Sequence, residues 1–478
     1  MSLSESAAAL AAGRLSPVGL TERMLAVIEA TEPYVHAYAT VTADEARARA
    51  AELERAGRRG PLYGVPVGIK DLIDTAGVRT AYGSPRFTGH VPVRDAEAVR
   101  RLRAAGAVIL GKHTTHELAW GGRTDSAFFG PTRNPYRRDR IPGGSSGGSA
   151  ASVVAGSCLG AVGSDTAGSV RIPAALSGCV GFKPSRGRVP LDGVLPLAPS
   201  LDHLGVLAAT VDDAALLMSA LTGPVGGSPA APRVGWLGGW FDAVLAPEVR
   251  AALAATRARL EEHGVRVEDV AVPGEPRMPE AVLNRIVAEA GAFHRDAFER
   301  DPALFGPDIA ELMRMPPRTA GQAEQDEAAI GRMAAFVERA LGAYDVLAGA
   351  TVPITAPPIG AMTVAAGGRE WPVELVLTRL TSLFNAAGLP AISVPVALPD
   401  GLPVGLQLAG AAGRDGAVLA AARLVERLTP RLPRPDFRSC TARAASPSTG
   451  SCASMTWPTS TGRSATAGAA RRSNPCSA

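Results

Sequence analysis

Apolar residues in this chain occur in two patterns, short uninterrupted runs and longer segments with helical spacing. Helical spacing begins after Ser16-Pro17, a pair that is typical of an N-cap followed by the first turn of a helix. The apolar positions of this segment lie on one helical face: Leu20, Met24, Val27 and Ile28. We therefore predict an amphipathic helix here.

A repeated order of helix, glycine and apolar strand follows. Residues 66–70 (PVGIK) predict a strand that ends at a lysine. A helix capped by Asp95 and running through Arg103 is predicted to end at Gly106, with a strand at 107–112 directly after it. This order is typical of an α/β domain.

The remaining elements are predicted from the same two patterns. Strands are predicted at residues 36–41, 158–163, 233–237, 265–272, 344–352, 390–396 and 404–410. Helices are predicted in the charged run that ends at Arg58, at 149–156 and 169–177, after a Thr210 cap at 211–221, over most of 279–341, and from an Asp415 cap to about Leu428.

Composition indicates a globular enzyme with a large core, because 46% of the 478 residues are hydrophobic and 20% are charged. The formal charge is +4, and residues 437–478 hold five arginines and no acidic residue, which leaves −1 for the rest. The excess positive charge therefore belongs to the end of the chain. No basic stripe interleaved with aromatic residues indicates nucleic-acid binding.

Compartment and membrane signals are weak. The N-terminal segment has no basic region before an apolar core, so no signal peptide is predicted. No uncharged run reaches the ~20 apolar residues of a membrane span. Cys158 and Cys179 lie in apolar surroundings and are predicted to be buried free thiols. A cytoplasmic location is the default expectation.

Residues 437–478 differ from the rest of the chain. They lack apolar periodicity and are rich in Ser, Thr, Ala, Arg and Pro. Such a composition predicts disorder. We interpret this segment as a disordered or aberrant tail, for example the product of a shifted reading frame.

Two loops of small residues lie close together, GGSSGGS at 143–149 and SDTAGS at 164–169. Glycine allows a backbone to approach a ligand closely, and small residues before a serine allow several N–H groups to point at one atom. That arrangement is what an oxyanion hole requires. The loops are therefore candidates for the centre of an active site.

Lys70 completes a possible catalytic set. It ends the apolar strand in GVPVGIKD (64–71), and a lysine in a dry site can lose its charge and act as a base. A base, a relay serine and a nucleophilic serine together form the Ser-Lys variant of the hydrolytic triad.

At these residues the chain closely resembles the amidase signature hydrolases. That family has a lysine in GVP-x-x-x-K-D, a GGSSGGS loop, and a serine in D-[ST]-x-G-S-[IV]-R at a fixed distance; here Ser145 and Ser169 are 24 residues apart. Further segments similar to the family are GFKPSRGRV, SLDHLGVLAATVDDAALL, FNAAGLPAISVP and GLPVGLQLAG. The resemblance covers residues 15–430.

The resemblance implies an α/β fold with a large mixed, mostly parallel twisted sheet flanked by helices on both faces. It divides the chain into a helical lead-in at 1–60, a catalytic domain at 61–436, and the tail. Within the catalytic domain, residues 224–343 match the family least and are expected to cover the active site and to set the shape of the substrate.

The resemblance also assigns roles. Ser169 is the nucleophile, and Ser145, preceded by a cis peptide bond, holds a hydrogen bond to it and passes its proton to neutral Lys70. The expected oxyanion donors are the backbone N–H groups of Thr166, Ala167, Gly168 and Ser169. The implied reaction is hydrolysis of an amide bond through an acyl-enzyme, with a small-molecule amide as substrate, no cofactor and, as one option, a homodimer.

Supporting roles follow from the same motifs. Ser146 is expected to orient Lys70, and Arg171 to form a buried ion pair with Asp165. A loop beside the substrate is expected to hold Trp120, Gly121 and Gly122. The family often has glycine where this chain has Ala167, whose methyl group is expected to narrow the site beside the oxyanion hole.

Other interpretations remain. GGSSG also satisfies the G-x-S-x-G motif of α/β-hydrolases, with His203, His263 or His294 as the base, but that interpretation leaves Lys70 and Ser169 unexplained. A phosphate-binding loop would need a GK[ST] ending. His113 and His116 in KHTTHE do not match HExxH, so no metal site is predicted.

The closest rival lies within the family. The glutaminase component of the tRNA-dependent amidotransferase uses the same triad to take ammonia from glutamine and passes it to a partner protein. No motif in this sequence identifies a glutamine site or a partner surface. A non-catalytic binding protein on the same fold is disfavoured because the triad is intact.

Overall fold

An eleven-stranded mixed sheet runs through the part of the chain that the computed structural model describes, residues 1–57, 60–226 and 232–437. The strands of this described part are β1 (Tyr38–Val41), β2 (Pro66–Lys70), β3 (Val108–His113), β4 (Asp125–Ser126), β5 (Gly130–Pro131), β6 (Gly160–Ser164), β7 (Val180–Lys183), β8 (Leu204–Ala208), β9 (Val234–Gly239), β10 (Val267–Val272), β11 (Val346–Ala350), β12 (Thr363–Ala366), β13 (Arg369–Pro372), β14 (Ala391–Ala397) and β15 (Val404–Ala409).

Helices surround this sheet. Those in the described residues are α1 (Leu3–Ala11), α2 (Pro17–Val35), α3 (Ala43–Ala56), α4 (Glu97–Ala104), α5 (Gly147–Ala155), α6 (Arg171–Ser177), α7 (Val211–Thr222), α8 (Pro247–Glu262), α9 (Met278–Arg300), α10 (Pro307–Arg314), α11 (Ala320–Ala340), α12 (Val373–Thr378), α13 (Ser382–Ala386) and α14 (Asp415–Leu428). Residues 1–436 form one compact unit.

The order of the large sheet is β1-β3-β2-β6-β8-β7-β14-β15-β11-β9-β10. Strands β3, β2 and β6 are parallel, as are β11, β9 and β10, whereas the strands between β6 and β11 pair antiparallel. Helices α5, α6, α7 and α14 pack against the strands of the centre. The predicted α/β class with a large mixed sheet flanked by helices is confirmed.

The core lies along the central strands. Strands β2, β3, β6, β7, β8, β11 and β15 are buried along their whole length. A strand buried on both faces appears in the sequence as an uninterrupted apolar run rather than an alternation. This explains why the run at 66–70 predicted β2 with its observed bounds.

Three predicted helix starts differ from the structure. Asp95 does not cap α4, because its carboxylate accepts the Ala76 N–H (2.8 Å) and pairs with Arg103. Asp415 is the first residue of α14 instead of its cap, and its carboxylate accepts the N–H and hydroxyl of Ser185. Both carboxylates bind partners from other segments instead of capping the helix starts.

The third difference concerns the loop that carries Ser169. The helix predicted at 169–177 is α6, which begins at Arg171, so Ser169 lies two residues before it. The Thr210 cap of α7 is confirmed, since its hydroxyl accepts the Asp213 N–H (3.1 Å). The predictions for 438–478 and for part of the Pro/Gly linker, residues 227–231, lie outside the described residues.

Two further predictions, on the cysteines and on membrane spans, can be compared with the structure. Cys158 and Cys179 are buried and unpaired with each other, as expected of free thiols. Within residues 1–57, 60–226 and 232–437, no helix has both the length and the apolarity that crossing a bilayer requires.

Close packing of α6 on the sheet depends on Gly181 in β7. A Cβ built at Gly181 would lie 2.6 Å from the Ala174 Cβ and 2.7 Å from the Val170 carbonyl oxygen. Both contacts are shorter than real Cβ contacts allow. The glycine therefore lets α6, and with it the loop that carries Ser169, sit directly against the central strands.

We predict that Gly181→Ala destabilises the protein by about 1–3 kcal/mol, because overpacking at a close approach forces the backbone apart. Gly331→Ala is the matched control, since a Cβ at this position of α11 meets nothing within 4 Å. That control is expected to be neutral or to stabilise by up to about 1 kcal/mol through helix propensity. Chemical denaturation measures both, and equal effects of the two substitutions would contradict the packing argument.

Candidate active site

Lys70 is the last residue of β2 and is fully buried. Its amine lies 2.7 Å from the Ser145 hydroxyl and 2.8 Å from the Ser164 hydroxyl. Strand β2 is held between β3 and β6, so the lysine projects from a rigid part of the sheet. The side chain is thus fixed between two hydroxyl groups.

Burial lowers the pKa of Lys70 from its usual value to about 7. Removal of an ammonium group from water is costly, and the neutral amine avoids that cost. The carboxylates of Asp165 and Asp202 act in the opposite direction and raise the pKa, but burial outweighs them. A substantial fraction of Lys70 is therefore neutral near pH 7 and able to accept a proton.

The serine loop precedes α5, and the Gly144–Ser145 peptide bond is cis, as the resemblance implied. In the described residues, no hydrogen bond joins Ser146 to Lys70. Its hydroxyl donates to the Ser164 carbonyl (3.1 Å), and Ser164 in turn holds the amine of Lys70. Ser164 was missed by the sequence analysis, although it is the first residue of the SDTAGS loop.

Ser169 lies next to Ser146 and lines a cavity. Its carbonyl oxygen accepts the Ser146 N–H (3.2 Å), which joins the two loops. Within the described residues, no hydrogen bond joins the Ser169 and Ser145 hydroxyls, so the expected contact between them is not formed. Such catalytic contacts often tighten only when substrate binds.

The loop before Ser169 presents four consecutive backbone donors. Among the described residues, the N–H groups of Thr166, Ala167, Gly168 and Ser169 donate to no acceptor of the protein. Gly168 has a φ of +129°, and a Cβ there would lie 2.2 Å from the Thr381 hydroxyl. Free N–H groups around a glycine that no other residue can replace suit an anionic oxygen.

A buried ion pair supports this loop. Arg171 contacts both carboxylate oxygens of Asp165, at 2.9 and 3.0 Å, and both side chains are fully buried. The guanidinium also donates to Gln407 and Asn385. Burial alone would raise the pKa of Asp165, but Arg171 outweighs it and holds that pKa well below its usual range.

Asn385 and Gln407 were quoted in family-like segments but received no role in the sequence analysis. Asn385 also donates to both the carbonyl and the carboxylate of Asp165, each at 2.8 Å. They lie more than 200 residues from the loop in sequence, so nothing local in the chain could reveal the contact.

A cavity of about 90 Å³ adjoins Ser169. Its described lining combines the loop that carries Ser169, the predicted substrate loop and side chains of α9, α10 and α12. These residues are Trp120, Gly121, Gly122, Thr166, Ala167, Ser169, Ile172, Leu197, Pro279, Val282, Leu283, Ile286, Leu312, Glu374, Leu375 and Thr378. The predicted loop residues Trp120, Gly121 and Gly122 therefore lie at the cavity.

The two histidines of KHTTHE have separate surroundings. His113 packs edge-on against Tyr38, and burial lowers its pKa to about 3. His116 lies 3.0 Å from an Asp308 carboxylate oxygen. Among the described residues, no group of three or more His, Cys, Asp or Glu side chains is arranged to hold a metal ion.

Comparisons with known proteins give the class of the chain. The mixed sheet and the family model together define an enzyme that acts on carbon–nitrogen bonds. The model of the family described as Amidase matches residues 19–419. The chain belongs to this family, the amidase signature hydrolases.

Individual relatives extend over nearly the whole chain. It is 36% identical to the A-type subunit of glutamyl-tRNA(Gln) amidotransferase from Roseiflexus sp. strain RS-1, over 90% of this chain and 96% of the relative. A solved amidase structure is 35% identical with a TM-score of 0.84, over 90% and 100% of the two chains. The solved structure of the same amidotransferase component from Thermotoga maritima is 30% identical with a TM-score of 0.73, over 88% and 95%.

We predict that Arg171→Met destabilises the protein by about 3–5 kcal/mol, because it leaves the Asp165 carboxylate buried without its cationic partner. Arg47→Met is the control, since Arg47 and Glu22 form an exposed pair whose loss is expected to cost at most about 1 kcal/mol. Denaturant unfolding measures both changes. A small effect of Arg171→Met would show that Asp165 does not depend on this partner.

Proposed function

We propose that this chain hydrolyses a carboxamide through Ser169, Ser145 and Lys70. The observation that carries the proposal is the buried amine of Lys70, which lies 2.7 Å from the Ser145 hydroxyl and has a pKa lowered to about 7. A neutral lysine held against a serine is the base that a Ser-Lys hydrolase needs.

The reaction follows from this geometry in two halves. The Ser169 oxygen attacks the amide carbonyl carbon, its proton passes to Ser145, and the Ser145 proton passes to Lys70. The carbonyl oxygen becomes an oxyanion that accepts the free N–H groups of residues 166–169, and losing one such donor typically costs on the order of 10²–10³ in rate. The proton returns to the leaving nitrogen, the C–N bond breaks, and water then hydrolyses the ester of Ser169.

Two substrates are candidates. The first is glutamine, with the chain acting as the glutaminase component of a tRNA-dependent amidotransferase and supplying ammonia to a partner. Curated relatives support this candidate, because relatives at 34–37% identity are named as the A-type subunit of glutamyl-tRNA(Gln) amidotransferase.

The second candidate is a small uncharged carboxamide, cleaved by the chain alone. The lining of the cavity favours it. Glu374 is the one titratable side chain among the described lining residues, and its carboxylate accepts the Gly122 N–H (2.6 Å) and lies 3.2 Å from the Arg123 guanidinium. The carboxylate of glutamine would find no cation in this lining, and an unpaired buried charge is costly.

The size of the cavity limits which uncharged carboxamide fits this second candidate. A cavity of about 90 Å³ is smaller than the apolar cavity of about 150 Å³ that is known to hold one benzene molecule. The part of the substrate beyond the carbonyl is therefore expected to be a short aliphatic chain. An isopropyl group has nearly the shape of a carboxylate, so 4-methylpentanamide and succinamate form a matched pair that differs in charge.

We predict that the isolated chain releases ammonia from an amide of this panel, and that Ser169→Ala and Lys70→Ala each lower kcat/KM by about 10⁴-fold or more. The panel is glutamine, 4-methylpentanamide and succinamate. A preference for glutamine supports the amidotransferase component, and a preference for 4-methylpentanamide over succinamate supports the second candidate. Ser219→Ala on α7 is the control, and ammonia release that survives Ser169→Ala would contradict the proposal.

We also predict that kcat/KM rises with pH and levels off above an apparent pKa of about 7. The sign follows from the role of Lys70, because only its neutral form accepts a proton, and acid protonates it. The pH profile of kcat/KM measures this, with circular dichroism at each pH to confirm that the chain stays folded. A profile that is flat through pH 7 would argue against Lys70 as the base.

A further inference from the structure

Helix α10 lies in the section, residues 224–343, that was expected to cover the active site. Two residues at its start contact the substrate loop, residues 116–124. The N–H of Gly306, the N-cap, donates to Glu117 (2.8 Å). The Asp308 carboxylate accepts from His116 at 3.0 Å and from Arg123 at 2.9 Å. Residues from both sides of the substrate loop thus meet on one carboxylate.

The first branch of this contact leads to the serine loop. The Thr124 N–H donates to His116 Nδ1 (3.2 Å), so Nε2 carries the hydrogen that is donated to Asp308. The Thr124 hydroxyl donates to the carbonyl oxygens of Gly143 and Ser145, at 3.0 and 3.3 Å. A continuous series of hydrogen bonds therefore joins α10 to the loop that carries Ser145.

The second branch leads to the cavity wall. Arg123 is 5% exposed and places its guanidinium against Asp308 and against Glu374. Glu374 accepts the N–H of Gly122, which lines the cavity. Asp308 therefore acts on the wall of the cavity through Arg123 and Glu374.

The substrate loop needs such outside support. Leu118, Ala119 and Thr124 have φ values of +52°, +59° and +58°, a region that residues with a Cβ rarely occupy. Strained residues of this kind persist only where surrounding contacts hold them. Three of them lie in this short loop, which the two branches from Asp308 hold at both ends.

Helix α10 also forms part of the cavity itself. Leu312, one turn after Asp308, lines the cavity together with Trp120 and Gly122 of the substrate loop. The distance between α10 and the substrate loop therefore sets the width of the cavity. Two side chains join α10 to this loop: Glu117 accepts the Gly306 N–H, and Asp308 binds both His116 and Arg123.

We propose that Asp308 is a positioning residue for substrate binding, which acts through His116 and Arg123 to hold α10 and the substrate loop around the cavity. The proposal rests on the hydrolytic site proposed above. The contacts around the catalytic residues do not involve the Asp308 carboxylate. Lys70 donates to Ser145 and Ser164, and the Ser145 carbonyl accepts the backbone N–H of His116. Loss of the Asp308 carboxylate is therefore expected to affect binding in the cavity more than the reactivity of Ser169.

The test compares two reagents that sulfonylate Ser169, methanesulfonyl fluoride and butanesulfonyl fluoride. In each, the serine oxygen forms a bond to sulfur, fluoride leaves, and the hydroxyl proton goes to Lys70. The butyl chain is expected to extend into the cavity, whereas the methyl group is too short to do so. Intact-protein mass spectrometry gives the rate constant for each reagent with the wild type and with Asp308→Ala, Asp308→Asn and Glu311→Ala.

We expect Asp308→Ala to lower the rate with butanesulfonyl fluoride about ten-fold, as loss of a methylene contact does, and to leave the methanesulfonyl rate within about three-fold. Asp308→Asn keeps an acceptor for both donors and is expected to restore most of the difference. Glu311 is exposed on the same helix, and Glu311→Ala is expected to behave as the wild type. Equal losses with both reagents, or no loss with either, would overturn the proposal.

Amide hydrogen exchange of the same variants gives a measurement that does not depend on Ser169. Faster exchange over residues 116–124 and 307–314 in Asp308→Ala, but not in Glu311→Ala, is expected. Unchanged exchange would overturn the positioning role. A wild type that is not labelled at Ser169 would count against the hydrolytic site, and the exchange result would then decide the role of Asp308.

Discussion

The site depends on the burial of one amine. Lys70 ends a strand in the middle of a buried sheet, and its nearest partners are the hydroxyls of Ser145 and Ser164 instead of a carboxylate. An ammonium group in such surroundings loses its hydration without gaining a carboxylate in direct contact, and this favours the neutral amine. The packing that stabilises the fold therefore also prepares the proposed chemistry.

Arg171 contributes to the same balance. Asp165 is the carboxylate that most strongly favours protonated Lys70. Arg171 engages both of its oxygens, and Asn385 donates to one of them. Arg171 and Asn385 offset part of the negative charge of Asp165. This carboxylate therefore raises the pKa of Lys70 less than it would without them. The ion pair thus supports the loop of Ser169 and limits the rise in the Lys70 pKa that would keep the proposed base protonated.

The use of lysine across the chain fits this account. The sequence has only three lysines, Lys70, Lys112 and Lys183, and all three are fully buried. Arginine supplies the remaining basic side chains. A lysine amine loses its proton readily when buried, whereas a guanidinium stays charged. Burial lowers the pKa of each lysine, to about 7 for Lys70 and to about 8 for Lys112.

The sequence predicted what local pattern determines. Apolar runs located β2, small-residue loops located the serines, and the Thr210 cap located α7. It did not predict the roles of Ser164, Asn385 or Asp308, whose partners come from distant segments. It also assigned Asp95 and Asp415 as helix caps, whereas their carboxylates bind residues of other segments. Hydrogen bonds between distant segments leave no periodicity in the sequence.

The pKa of Lys70 itself is the measurement that tests this account most directly. With only three lysines in the chain, ¹⁵N-labelled lysine gives three side-chain signals, and Lys70→Met assigns one of them. A titration midpoint near 7 for Lys70 is the result that the account predicts. A midpoint close to the usual lysine value of about 10.4 would mean that the amine is protonated at neutral pH and does not serve as the base.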